Sequence, residues 1–584
     1  MAPTPLRLLH ARVAQALHDA FGHAVALPEV LVQPTRDPRH GDFTCAAPMA
    51  LARALRRPPD ELALRLAVVL DVTGVCEPPE VSPPGFVNLR LRNEWLAARI
   101  VALVADAKLE LPRAPRARQV VVDYSGPNVA KEMHVGHLRS TIIGDCLANV
   151  AEALGHEVER VSHVGDWGTQ FGMLIAQLDD VIGAGGEAPH RIGDVEACYR
   201  QASARFRDDE AFRDRARRRV VDLQSGEPGA RATWQSLVDL STAENARVYE
   251  LLGVQGLVDR GESTYQPVLA EVVADLEAAG LVVVDGGAKC VFVPGFTNAE
   301  GDPLPLIVQK ADGGYNYATT DLAALRSRVE QGADKLLYVA DAGQSQHFQM
   351  VFAVARMAGW LREGVDASHV AFGLVLDDDG QRLRTRSGEN VHLADLLDEA
   401  LSRARAFVAE RAAEHGQAVP EDIDEVARVV GLGAVKYADL SQNRQSGYVF
   451  SFDRMLSLKG NTAPYLQYAY ARIRSILREA GWSEGPPGGV VARVTLGEPQ
   501  ERALAINLVM VGDVVERVAA EQLPSLLCTH LYELSQAYNQ FYEHCPVLRS
   551  DEPLRSSRLA LCEATATTLA RGLALLGIEV LERI

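Results

Sequence analysis

The segment DYSGPNVAKEMHVGHLRSTIIGD, Asp123 to Asp145, gathers residue types that can handle phosphate. His134 and His137 stand three apart, so on a helix both imidazoles face one ligand. A helix N-terminus offers unpaired N–H groups and partial positive charge, and Gly136 would let a bound nucleotide approach the backbone closely. Two imidazoles placed there can donate to phosphate oxygens as charge grows in a transition state. Taken alone, H-x-x-H also fits two ordinary core or surface histidines, or two metal ligands. The metal alternative needs further ligands, and the sequence marks no third one nearby.

The elements around this segment place it where a strand gives way to a helix. QVVVDYS, Gln119 to Ser125, is a β-branched run, and Leu138, Ile142, Leu147, Val150 and Leu154 then recur at helical spacing until Gly155. A second strand, EVERVSHV, leads through GDWGTQFG into the helical MLIAQLDDVIG, which completes the order of a parallel α/β unit. A charge-rich helical stretch from about residue 187 to 254 interrupts the alternation. It resumes with strands at KLLYVADAG, Lys335 to Gly343, and HVAFGLVLDD, His369 to Asp378. From Val391 the periodicity is almost wholly 3.6, broken by the loop WSEGPPGGV. With the Pro/Arg-rich LPRAPRAR at Leu111 to Arg118 as a boundary, three domains are expected: 1–112, small and α+β; 113–420, a Rossmann-type parallel sheet with the helical insertion; and 421–584, an all-α bundle.

At 584 residues the chain has room for several cores, and no stretch approaches the roughly 20 uninterrupted apolar residues of a bilayer span. Leu9, Val13, Leu17 and Phe21 fall at helical spacing, while Arg7, His10 and Arg12 interrupt any secretory run, so a helix of the first domain is expected there. The eight cysteines lie singly, without the spacing of a zinc site or a disulfide framework, which fits a reducing cytoplasm and no protein-bound metal. A net charge of −18 weighs against a polyanionic partner, yet a binding face is local. Arg53 to Arg57 and Arg213 to Arg219 are candidate basic patches, each equally readable as a solvated helix face.

HVGH resembles the HIGH signature of class I aminoacyl-tRNA synthetases, and PNVAKEMHVGHLRSTIIGD resembles their arginine-specific branch. SHVGDWGTQFGMLIAQL, GGYNYATTDLAALR, AFGLVLDDDG, GAVKYADLSQNR, NTAPYLQYAYARIRS and FYEHCPVL resemble further blocks of arginyl-tRNA synthetases, in that order. GDFTCAAPMALARAL and PPGFVNLRL extend the likeness into the first domain. The resemblance implies ATP-dependent activation of arginine and its transfer to tRNA(Arg), with ATP as cosubstrate and Mg2+ assisting. It implies that His134 and His137 contact ATP, that Asn128 and His137 help hold the amino acid, and that Tyr317, Asp321 and Gln344 bind arginine. A carboxylate and an aromatic ring four residues apart on a helix suit a planar guanidinium, and an acceptor pattern built for five N–H donors leaves lysine poorly matched.

The family's second signature, KMSKS, corresponds here to RLRTRSGEN, Arg382 to Asn390, which contains no lysine. By resemblance Lys131, just before the HIGH motif, takes the main leaving-group role, with support from Arg386 and a further ATP contact from Arg384. Gly126, where several relatives carry serine, leaves only backbone groups toward arginine. Tyr465, Tyr468 and Arg472 share one helical face, a stripe that by itself more often packs in a core. The resemblance, which puts it in the family's anticodon-binding domain, implies that with Tyr542 it meets the anticodon loop, where single-stranded bases are read by stacking and edge contacts. A monomer is expected. The rivals are a silent tRNA-binding protein, encouraged by the lysine-free loop, and a small-molecule nucleotidylyltransferase, which would have no use for a long helical C-terminus.

Overall fold

Val120, Val121 and Val122 are all buried, as expected of a strand covered on both faces. They belong to β1 (Gln119–Asp123) in the computed structural model, which describes residues 3–584 apart from 24, 36, 107–110, 186, 188, 299, 378, 385–390, 415, 417 and 483–492. β1 is the centre of a five-stranded parallel sheet with β2 (Glu157–Val164), β3 (Leu257–Gly261), β4 (Lys335–Tyr338) and β5 (Asp366–His369), in the order β3-β2-β1-β4-β5. This is the doubly wound order, and its direction reverses between β1 and β4, where ligands bind at the carboxyl ends of the strands.

The signature helix α1 (Val135–Ala153) follows β1 and packs closely on it. A Cβ at Gly144 would stand 2.3 Å from the Tyr124 ring, so only glycine permits this approach. α2 (Thr169–Gly183) follows β2, and the insertion forms three helices, Ile192–Asp208, Glu210–Ser225 and Pro228–Leu251. A three-stranded antiparallel sheet (Val283–Asp285, Ala288–Thr297, Pro303–Gln309) precedes α3 (Tyr317–Glu330), and α4 (Ser345–Met357) connects β4 to β5.

The chain divides into two compact units: Met1–Arg113 with Ser457–Leu575 and Glu579–Ile584, and Ala114–Leu456 with Leu576–Ile578. In the first, a four-stranded antiparallel sheet and a C-terminal helical bundle share one body, and Arg502 of the bundle holds Asp42 with two hydrogen bonds of 3.0 and 2.7 Å. In the second, helix α5 (Ile423–Leu440) lies beyond the expected boundary at 420/421 yet belongs with the nucleotide sheet, because its buried face carries Asp439, the ion partner of Arg139 on α1. Residues 421–456 are therefore part of the body built on the five-stranded parallel sheet. The expected strand His369–Asp378 is also corrected. β5 ends at His369, and Val375–Leu376 pairs instead with Tyr448–Val449, since the chain at Gly373 runs so close to the Ser446 backbone that a Cβ would meet it at 2.6 Å. No described helix is long and apolar enough to cross a membrane.

Candidate active site

The first turn of α1 is capped by its own histidines. His134 Nδ1 accepts from the Gly136 N–H and His137 Nδ1 accepts from the His134 N–H, each at 3.0 Å, a reciprocal capping box made of imidazoles. A Cβ on Gly136 would lie 2.8 Å from His134 Cε1, so glycine is needed for the histidine beside it as well as for any ligand. Because each Nδ1 accepts, the ring proton of each sits on Nε2, and both rings present a donor to the cavity they line. Burial holds the His137 pKa down to about 3, helped by His134. Burial also lowers that of His134, reinforced by Arg382, Lys131 and His392. Both are neutral donors at working pH.

The cavity lies at the switch point, lined by Asp123 to Gly126 after β1 and Tyr338 to Asp341 after β4. The chain leaves β1 through two left-handed residues, Ser125 (φ 71°) and Gly126 (φ 55°). Ser125, unusual there, is fixed by Ser140 Oγ accepting its N–H at 2.8 Å and by the Tyr249 hydroxyl at 2.8 Å. Asn128, Tyr317, Asp321 and Gln344 all line the same cavity. Asn316 caps α3, accepting from the Ala318 and Thr319 N–H groups, which sets Tyr317 and Asp321 one turn apart at its start.

Three lining groups escaped the sequence reading. Glu262 follows β3, a short edge strand bearing Asp259 and Arg260 that showed no strand pattern. Burial, with Asp321 and Asp166 adding repulsion, pushes its carboxyl up to about 7. His163, at the end of β2, has both ring nitrogens buried without a hydrogen-bond partner among the described residues. Arg382 enters the cavity from a bridge to Leu376. Val391 and Leu393 meet the chain where α1 begins, Val391 O accepting from the Val135 N–H at 3.1 Å and the Leu393 N–H donating to Met133 O at 2.8 Å.

Lys131 and Arg384 do not line the cavity; Lys131 Nζ rests 5.0 Å from the Tyr199 ring centroid. Arg386 lies outside the described residues. Glu132, Glu196 and His392 offer polar atoms within 4.8 Å of one another, and His392 Nδ1 is 2.9 Å from Glu132 Oε2.

In the other unit, Tyr465, Tyr468, Arg472 and Tyr542 lie on two packed helices, Ala463–Glu479 and Ser525–His544. Asn539 donates to the Tyr465 hydroxyl at 2.8 Å, the Arg472 guanidinium lies 4.9 Å from the Tyr542 ring, and Tyr468 is exposed. The Arg213–Arg219 run is mostly neutralised: Arg215 pairs with Asp180, Arg217 with Asp214, and Arg219 with Asp179 and Asp222.

A doubly wound sheet with imidazole donors at the first helix N-terminus, followed by a helical module, defines a class I aminoacyl-tRNA synthetase. The family of class I (R) tRNA synthetase catalytic domains matches residues 99–452, the DALR anticodon-binding domain 466–584, and the arginyl-tRNA synthetase N-terminal domain 7–91. The chain is 52% identical to the arginine–tRNA ligases of a Synechococcus species and of Synechococcus elongatus, over 99% of each chain. Its fold matches the arginyl-tRNA synthetase of Plasmodium falciparum (TM-score 0.87, 28% identity, all of both chains). It also matches that of Thermus thermophilus (0.79, 26%, 99% of this chain and all of that one). The chain belongs to the arginyl-tRNA synthetases, the arginine–tRNA ligases of class I.

Proposed function

We propose that the cavity holds arginine and ATP end to end. The guanidinium lies toward Asp321, Tyr317, Gln344 and Glu262, and the triphosphate toward His134, Gly136, His137 and Arg382. The arginine carboxylate attacks the α-phosphorus, pyrophosphate leaves, and the terminal 2′-hydroxyl of tRNA(Arg) then takes the arginyl group while AMP departs. The observation that carries this reading is the make-up of the cavity, which brings the neutral imidazole donors His134 and His137 together with the carboxylates Asp321 and Glu262. Asn128 and Gly126 also line the cavity, and are proposed to receive the α-amino and carboxylate groups.

Mg2+ fits as a companion of ATP, neutralising phosphate charge. Among the described lining carboxylates, Asp123 is held by Arg328 at 2.8 Å, Asp321 by His347 at 2.6 Å, and Asp341 by the Gly343 N–H at 2.7 Å. With Glu262, the fourth, assigned to the guanidinium, the nucleotide's own phosphates would supply most of the ligands. Lys131 is the proposed main leaving-group cation, with Arg384 and Arg386 in support. Tyr465, Tyr468, Arg472 and Tyr542 are the proposed anticodon-loop surface, and residues 1–112 a module for the tRNA's outer corner. A cytoplasmic monomer completes the proposal.

The test is ATP–pyrophosphate exchange with arginine, run with and without tRNA(Arg), beside Lys131→Ala. Arginine-specific exchange that requires tRNA, and falls about 10- to 100-fold in the variant, is expected. No exchange under any condition, with tRNA binding intact, would instead mark a silent tRNA binder.

The Glu262 carboxyl gives a second expectation. Its raised pKa keeps it neutral below about 7, whereas a guanidinium needs it ionised, so arginine binding tightens as pH rises through 7. The KM for arginine should fall about tenfold from pH 6 to pH 8. Glu262→Gln should flatten that profile while leaving the KM for ATP unchanged; a profile that survives the substitution refutes the assignment.

A further inference from the structure

Nothing within Asp321 fixes the plane of its carboxylate, because the terminal torsion of an aspartate is broad. A guanidinium N–H nevertheless needs the oxygen that accepts it turned into its own plane. The missing restraint comes from a different helix. His347 Nε2 stands 2.6 Å from Asp321 Oδ2, while Oδ1 has no hydrogen bond among the described residues and faces His163 Nε2 at 3.8 Å, too long for one. The same imidazole meets the Tyr317 ring edge-on, with centroids 4.9 Å apart. It also meets the ring of its neighbour Phe348 edge-on, centroids 5.3 Å apart. His347 sits near the start of α4, and Asp321 and Tyr317 at the start of α3, so one side chain braces both groups from outside their own helix.

We propose that His347 is a positioning residue for arginine: its Nε2–H holds Asp321 Oδ2 so that Oδ1 is left for the guanidinium, and its ring backs Tyr317. This rests on the reading that Asp321 and Tyr317 receive the guanidinium. The hydrogen bond, rather than the bulk of the ring, carries the effect, because it alone sets the carboxylate plane.

The test is steady-state exchange kinetics on the full chain with His347→Ala, His347→Gln, His347→Phe and Asp321→Asn. His347→Ala should raise the KM for arginine about 10- to 30-fold, the size of a lost charge-assisted hydrogen bond, with kcat and the KM for ATP within about twofold. Glutamine carries an N–H at nearly the reach of Nε2 and should return the KM to within about threefold of the parent. Phenylalanine keeps the ring against Tyr317 but has no donor, and should stay as impaired as alanine. Combined with Asp321→Asn, His347→Phe should add nothing further, since both act on one interaction. A His347→Phe enzyme with the parent KM for arginine overturns the proposal, as does a His347→Ala enzyme whose kcat and KM for ATP change in step with the KM for arginine. Should Asp321→Asn itself leave the arginine KM unchanged, the underlying reading falls and this inference with it. If Asp321→Asn is impaired and His347→Ala is not, the inference falls alone.

Discussion

Asp439→Ala is expected to cost about 3–5 kcal/mol of stability, because it strands a buried cation. Arg139 lies two residues beyond His137 on α1 and is fully buried. Its Nε is 3.1 and 2.9 Å from the two Asp439 oxygens, and its Nη1 donates to Gly373 O at 2.6 Å and Ser446 O at 3.2 Å. The guanidinium also faces the rings of Tyr448 and Phe372 at 5.2 and 5.7 Å. Burial pushes the Asp439 carboxyl up, and Arg139 pulls it back only in part, so the pair has little to spare. One arginine thus ties the signature helix to α5 and to the paired segments beside Gly373 and Ser446, from which the chain reaches Arg382. Urea denaturation should show the alanine variant far less stable than Asp439→Asn, which keeps an acceptor. It should also be less stable than the double variant Arg139→Met/Asp439→Leu, in which no charge is stranded. A single alanine variant within about 1 kcal/mol of the parent would mean that water reaches the guanidinium and the contact is not the hub described.

The core of the sheet was legible because its central strands are buried and β-branched; β2 was read from Glu157 to Val164, its observed bounds. β3 was not, since a five-residue edge strand with Asp259 and Arg260 carries no apolar alternation, and Glu262 was lost with it. Helical periodicity after Val391 identified helices but could not say which body they pack on, so α5 was put with the wrong neighbours. What assigns it is a contact between Arg139 and Asp439, 300 residues apart. In the site, Tyr317 and Asp321 were marked by the resemblance of GGYNYATTDLAALR, their spacing adding only that they share one helix face, and both line the cavity. His347 lies three residues after Gln344, yet its partner is 26 residues away on another helix and no local pattern reveals it. Lys131 shows the converse: the sequence offers a role, while the structure rests its ammonium on Tyr199.

His137→Ala is expected to lower kcat for arginyl-adenylate formation about 10²–10³-fold, the usual consequence of removing a preorganised donor from developing phosphate charge. The argument turns on protonation. With Nδ1 accepting from the His134 N–H and burial holding the pKa at about 3, His137 is a neutral Nε2–H donor throughout the working range, and its contribution to rate should not titrate above pH 4. Asparagine separates the two duties of this side chain. Its short carboxamide can still cap the His134 N–H but cannot reach where Nε2 points, so His137→Asn should keep the thermal stability that alanine loses, about 1 kcal/mol for the cap, and still lose the rate. The same burial has an acid signature. An unfolded-state imidazole takes up its proton below about 6.5, while the folded one resists until about 3, so folding stability drops by about 1.4 kcal/mol per pH unit across that window and levels off beneath it. His137→Asn abolishes that share of the loss. Its stability difference from the parent should therefore grow in the variant's favour as pH falls from 6.5, which paired urea titrations at pH 7 and pH 5 will read. If the difference is the same at both, the imidazole is solvated or charged in the folded enzyme, and the neutral-donor account of the signature histidines fails with it.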